Sequence, residues 1–225
     1  MTIQKTQDKS VLWVEKYRPQ TIAECILPTA YRINLEGFIS KSELPNIVFS
    51  GPTGVGKTTV AQALVNDFGL DSMLVDATLT PNVDGIRERV ISFASTRGLT
   101  GDKAIIFDEA DLLNKRHSQP TLARCIEKFP RCRYVLTCND PKKIIPSLKS
   151  RVIEFDFQFT ESEHLEVQEL QCLRACEILD KERISFQQHD VKEIVSFHYP
   201  DFRQALIVLH NQSVTGTLLP MRKVA

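Results

Sequence analysis

Apolar residues along this chain gather into five short runs: residues 46–50 (NIVFS), 73–77 (MLVDA), 104–108 (AIIFD), 134–138 (YVLTC) and 152–157 (VIEFDF). The runs are β-branched or aromatic and almost continuously apolar, the pattern of strands covered on both faces. Between them the period lengthens to that of a helix. Val60, Leu64 and Phe68 form one stripe, with Gly69 as its stop. Val83, Ile86, Val90, Phe93 and Ala94 form a second, ending near Gly98. Leu122, Cys125, Ile126 and Phe129 form a third, terminated by Pro130. Strands alternating with helices predict an α/β fold with a parallel five-stranded sheet built from βαβ units.

The pattern changes after Phe159. Thr160, Glu161, Ser162 and Glu163 have the form of a capping box that opens a helix running to about Leu179. Val191, Ile194, Val195 and His198 mark another helical face, and Phe202, Ala205, Leu206 and Leu209 a third. No strand-like run intervenes. The chain is therefore expected to divide into an α/β core over residues 1–159 and a small helical domain over residues 160–225.

Composition narrows the class. The 225 residues suffice for one or two domains with a real core. Lys plus Arg and Asp plus Glu number 28 each, so nucleic-acid binding would need local clustering of charge. The polar start MTIQKTQDKS has no apolar stretch of the kind a secretory signal needs. No window approaches the roughly 18 apolar residues of a membrane span, so a cytoplasmic chain with no membrane partner is expected. The six cysteines, Cys25, Cys125, Cys132, Cys138, Cys172 and Cys176, include no CxxC pair. They read as small apolar side chains, against the alternative of a metal site on Cys125, Cys132 and Cys138.

The chemistry begins at the end of the first strand. Gly51-Pro52-Thr53-Gly54-Val55-Gly56-Lys57-Thr58 satisfies GxxxxGK[ST], after a predicted strand and before a predicted helix. Glycines let successive backbone N–H groups turn towards phosphate oxygens, and the helix N-terminus adds its positive end. With Thr59, these residues form the expected nucleotide cradle. Lys57 would reach the outer phosphates and Thr58 would ligate Mg²⁺. The third strand delivers Asp108 and Glu109 to its C-terminal end, the edge at which open α/β sheets bind ligands. Asp108 is the second expected metal ligand, and Glu109 the group that orients the attacking water. Asp111 reads as a solvated loop acid outside the site. Asn139, at the tip of the fourth strand, either helps place the water or simply forms the turn before Asp140-Pro141.

These motifs, read in order, resemble the AAA+ ATPase subunits of sliding-clamp loaders, and most of all the large subunit of tailed-phage loaders. The resemblance runs from Trp13 to about residue 210. It includes WVEKYRP at 13–19, Thr21-Ile22, Cys25-Ile26-Leu27-Pro28, GPTGVGKTT, FDEAD, LTCN, LKSR and YPDFRQAL. It implies that Val14, Glu15, Lys16, Tyr17, Arg18 and Ile26 line an adenine pocket. An aromatic ring, a cation and apolar walls suit a flat base. It implies that Asn139 senses the γ-phosphate and that Arg203 reaches the nucleotide from the helical lid. Arg151 would be the arginine finger that enters a neighbouring subunit's site. The cofactors implied are ATP and Mg²⁺. The partners implied are a sliding clamp, primer–template DNA and other loader subunits in a ring. If the chain is viral, its place is the host cytoplasm.

The chain departs from the family in three places. Val152 replaces the cysteine of the usual Ser-Arg-Cys. Ala123 stands where cellular loaders have an arginine, although Arg124 remains. The helical collar domain of loader subunits has no counterpart, so the sequence is either a fragment or a subunit that assembles through its ATPase modules. Candidate DNA contacts are Arg87, Arg89, Lys115 and Arg116, with solvated helix faces as the alternative. The expected activity is DNA-stimulated ATP hydrolysis that loads a clamp during replication. The alternatives are another AAA+ task (initiator, helicase loader or branch-migration motor) and a nucleotide-bound subunit that does not turn over.

Overall fold

The computed structural model describes residues 12–78, 83–96 and 102–219; the side chains of residues 83–87 lie outside the described residues. The described residues fall into two compact units, one of residues 19–165 and one of residues 12–18 with 166–219.

The larger unit is built on the five expected strands. They are β1 (Ile47–Ser50), β2 (Asp71–Asp76), β3 (Lys103–Asp108), β4 (Cys132–Cys138) and β5 (Ile153–Asp156). The order is β2-β3-β4-β1-β5, and every neighbouring pair is parallel. A parallel sheet brings all strand C-termini to one edge. Ser50 at the end of β1 therefore lies between Cys138 and Asp156.

Period-two alternation sorts each strand's residues onto the two faces. Val48, Ile105, Phe107, Tyr134 and Leu136 pack with Val90 of α4 (Val83–Ser95) and with Leu122 and Ile126 of α5 (Ser118–Lys128). Ile47, Phe49, Ala104, Ile106 and Val135 pack with Leu35 of α2 (Thr29–Lys41) and with Val60, Ala61 and Leu64 of α3 (Lys57–Asp67). Both faces of the central strands β1, β3 and β4 are covered, which explains why their runs carry so little polar alternation. Strands β2 and β5, at the edges of the sheet, depart from the expected burial on both faces and expose residues such as Leu74 and Ile153. The short α6 (Pro146–Lys149) follows β4.

Helix α2 has no counterpart in the sequence reading. Leu35 is its one buried residue, and Ile33 points outward. An apolar stripe broken in this way gives a weak periodic signal.

The smaller unit holds the expected three helices: α7 (Glu161–Lys181), α8 (Gln188–His198) and α9 (Phe202–Gln212). Ala175, Ile178 and Leu179 pack with Val191, Ile194, Val195, Ala205, Leu206 and Leu209. The capping box at the start of α7 forms. The Thr160 N–H donates to Glu163 Oε2 at 2.8 Å, and the Glu163 N–H donates to Thr160 Oγ1 at 3.4 Å. The division between units falls inside α7, between residues 165 and 166, rather than at Phe159. The segment that includes α1 (Trp13–Lys16) goes with the helices, because Trp13 is buried in their core.

Candidate nucleotide site

At the C-terminal edge of β1 the chain turns sharply through glycine. Gly51 has φ 139°, and a Cβ there would lie 2.8 Å from Cβ of Phe157, so no larger residue fits without a shift. Gly54 and Gly56 also take positive φ, at 86° and 92°, and Gly56 is the N-cap of α3. Glycine occupies these conformations at little cost. The first turn of α3 carries Lys57, Thr58 and Thr59.

Lys57 is 7% exposed. Its ammonium donates to the carbonyls of Gly51 (2.8 Å) and Pro52 (2.6 Å) and to Oδ1 of Asn139 (2.9 Å). Burial pulls its pKa below the ordinary lysine value, partly opposed by nearby acidic groups that include Asp108, Glu109 and Asp111. A cation so held, at a helix N-terminus and among loop amides, suits a polyanion.

The acidic half of the site stands on β3 and β4. The hydroxyls of Thr58 and Thr137 both donate to Asp108 Oδ1, each at 2.6 Å. Thr137 Oγ1 also accepts the Glu109 N–H at 3.0 Å. Glu109 has the left-handed backbone φ 55°, ψ 46°, a conformation that costs a non-glycine residue about 1–3 kcal/mol. Thr137 thus fixes the carboxylate of one acid and the backbone of the next. The sequence marks Thr137 only as a polar residue near the end of an apolar strand; its burial and its partners belong to the structure. The paired hydroxyl and carboxylate of Thr58 and Asp108 are hard oxygen donors and fit a magnesium ion.

Asp111 is a correction. It is 6% exposed rather than solvated. Its Oδ1 accepts the Asn139 N–H at 3.1 Å, and its Oδ2 the Asp140 N–H at 3.4 Å. A short turn over Ala110–Leu112 folds the carboxylate back under the tip of β4. Asp111 therefore holds the strand end from which Asn139 reaches Lys57. Replacing it with alanine strips two backbone amides of their acceptor. Asp111→Ala is expected to lower stability by about 1–3 kcal/mol, and Asp111→Asn by less because an acceptor remains. Urea unfolding of both variants checks this.

The structure thus brings together Gly51, Thr53, Gly54, Val55, Gly56, Lys57, Thr58, Thr59, Asp108, Glu109 and Asn139. Thr53 Oγ1 lies 3.5 Å from Asn139 Oδ1, and Val55 packs against the α2–α3 core. Ile26 is half-buried after the short turn Ile22–Glu24.

Arg151 follows α6. Its Nε donates to Glu127 Oε1 at 3.0 Å, its Nη2 pairs with the same oxygen, and its Nη1 donates to the Ser147 carbonyl and to Ser150 Oγ. Val152 packs against the α4–α5 core. Ala123 is buried on α5, while Arg124 is exposed.

Arg89, Lys115 and Arg116 are exposed. Arg87 lies on α4, where its side chain is outside the described residues. Arg203 is exposed in the first turn of α9. Val14, Glu15, Lys16, Tyr17 and Arg18 belong to the helical unit.

The cysteines are free thiols, four of them buried, and no metal-holding group of three His, Cys, Asp or Glu occurs among the described residues. Burial pushes the Cys138 thiol up to about 12. No helix among the described residues is long and apolar enough to cross a membrane.

A glycine-wrapped lysine facing an acidic pair across the edge of a parallel sheet makes this a P-loop nucleotide-binding protein. Residues 47–160 match the ATPase family associated with various cellular activities, AAA, and the chain belongs to that family. It is 36% identical over 213 residues to a replication factor C small subunit of Methanococcus maripaludis, covering 91% of this chain and 65% of that one. It is 34% identical to mouse replication factor C subunit 5, covering 92% of this chain and 61% of the relative. The chain therefore spans under two thirds of the length of either relative. Its fold resembles the Thermotoga maritima RuvB Holliday junction branch migration motor, with TM-score 0.66, 20% identity, and coverage of 88% of this chain and 67% of that one.

Proposed function

We propose that this chain is an ATPase subunit of a sliding-clamp loader in DNA replication, of the type found as the large subunit in tailed phages. The observation that carries the reading is the ordered motif set, from WVEKYRP through GPTGVGKTT, FDEAD, LTCN and LKSR to YPDFRQAL. It lies within a chain more than a third identical to a replication factor C small subunit.

ATP is taken into the cradle of Gly51–Thr59, where Lys57 turns from the loop carbonyls to the outer phosphates. Residues 14–18 and Ile26 contact the adenine. Thr58 and Asp108 would hold a magnesium ion, which would supply neutralisation of charge on the phosphates. Glu109 orients the attacking water and polarises its O–H bond. Asn139, held by Asp111 and adjacent to Lys57, reads the γ-phosphate. Arg203 reads the nucleotide of its own subunit, and Arg151 that of the neighbour.

The γ-phosphate is the contact that differs before and after hydrolysis, so it times the assembly. While it is present, adjacent subunits hold together, grip primed DNA through Arg87, Arg89, Lys115 and Arg116, and keep the clamp open. Partner subunits complete the ring, in the cytoplasm of the host if the chain is viral.

Phosphate release by the protein is measured at saturating ATP with a primer–template duplex, a blunt duplex or a four-way junction. The expected result is stimulation by the primer–template alone. Equal rates with all three DNAs overturn the reading, and stimulation by the junction favours a branch-migration task.

A further inference from the structure

The helical unit contains a cluster of polar groups with no counterpart in the sequence reading. Glu182 follows directly on α7 and is bonded to the α7 backbone, its N–H donating to the Ile178 carbonyl at 2.9 Å. Its Oε1 accepts from Lys16 Nζ and from the Tyr17 hydroxyl, both at 2.5 Å. A carboxylate at a helix C-terminus sits at the negative end of the dipole, where a cation is preferred. Helix stability therefore does not explain Glu182; the two donors at the C-terminal end of α1, its last residue Lys16 and its C-cap Tyr17, do.

One further contact fastens the same segment to α9, and two more order it internally. Trp13 stacks on His210 of α9 with centroids 4.8 Å apart and planes 6° apart. Tyr17 meets Trp13 edge-on at 6.5 Å. Glu15 pairs with Arg18 at 2.8 Å. Burial pushes the Glu182 carboxyl up, but the hydrogen bonds from Lys16 and Tyr17 outweigh it and hold the group below the usual glutamate range.

We infer that Glu182 is a positioning residue for recognition of the base: it occupies the polar ends of Lys16 and Tyr17 and fixes the path of residues 14–18. The inference rests on the reading that this segment contacts the adenine. With the Lys16 ammonium and the Tyr17 hydroxyl engaged by Glu182, the base is met by backbone groups and apolar surfaces, Val14 among them, rather than by a charged end. The exposed part of such an ion pair adds little to stability. Its effect lies in orientation, since a pre-ordered segment binds without first losing freedom.

The test compares ATP with inorganic tripolyphosphate, which has the phosphate chain and no base. Binding is measured by calorimetry on the full chain, with thermal unfolding recorded for each variant. Glu182→Ala is expected to weaken ATP roughly tenfold, as loss of a charge-assisted hydrogen-bond pair would, and to leave tripolyphosphate unchanged. Glu182→Gln, which keeps an acceptor, restores most of the ATP affinity. Equal weakening of both ligands, or a large fall in melting temperature with no rescue by glutamine, assigns Glu182 a structural role and overturns the inference.

Val14→Asp separates the inference from the reading beneath it. If Val14→Asp weakens ATP and Glu182→Ala does not, the segment contacts the base and Glu182 does not position it. If neither variant changes ATP binding, the adenine assignment of residues 14–18 fails as well, and the inference with it.

Discussion

Glu109→Gln is expected to bind ATP about as tightly as the parent chain and to hydrolyse it about 10²- to 10⁴-fold more slowly, the range for loss of a positioned proton acceptor. The substitution keeps shape and hydrogen-bonding reach and removes only the charge that, in the proposed mechanism, polarises water. Binding is spared because the ammonium of Lys57 and the amides of the glycine loop are untouched. Asp108, which accepts from both Thr58 and Thr137, is untouched as well. The backbone of Glu109 should also hold, since its N–H donates to Thr137 Oγ1 whatever the side chain. Single-turnover phosphate release and ATP binding, measured on the same preparation, separate the two quantities. Unchanged release would support a subunit that holds nucleotide without turnover, and parallel loss of binding would mean that Glu109 supports the cradle rather than the reaction.

What the sequence conveyed about this site, and what it did not, follows from distance along the chain. Gly51 to Thr58 are contiguous, and their chemistry is local: a turn that only glycine permits, followed by a helix start. Asp108 and Glu109 were legible because a parallel sheet sends every strand end to the same edge. The central strands were legible because both their faces are buried, and the edge strands β2 and β5 because their apolar and β-branched residues suit a strand even where exposed. Asp111 was misread because its role lies in partners 28 and 29 residues away, the amides of Asn139 and Asp140. Thr137 was missed for the same reason, lying 29 residues from the Asp108 carboxylate. Glu182 lies 166 residues from Lys16. Period and spacing carry no signal over such separations, and composition shows only that charged residues exist. As an adenine-contacting segment, residues 13–18 are expected to go with the α/β core. The large apolar surface of Trp13 assigns them instead to the helical unit, where it is 5% exposed.

Arg151→Ala is expected to leave ATP binding by the single chain unchanged and to slow hydrolysis in the assembled state by about 10³- to 10⁵-fold, the range measured for arginine fingers. The geometry gives the reason for the split. In the single chain the Arg151 guanidinium pairs with Glu127 and bonds to Ser147 and Ser150, so it has no part in its own cradle. The Glu127 side chain is 59% exposed, and an ion pair this open is worth at most about 1 kcal/mol. If Arg151 is the proposed finger, a neighbour's γ-phosphate would displace Glu127 at small cost, with Ser147 and Ser150 holding the guanidinium's other end. A mixing experiment tests action between subunits. Arg151→Ala keeps an intact cradle without a finger, and Lys57→Ala keeps a finger without a working cradle. Each alone should be inactive with primer–template DNA, and equimolar mixing should restore part of the rate, because the finger of one subunit can then serve the cradle of the other. No recovery on mixing, with both variants folded and assembling, would place Arg151 outside the catalytic contact and leave its bond to Glu127 as an ordinary surface pair.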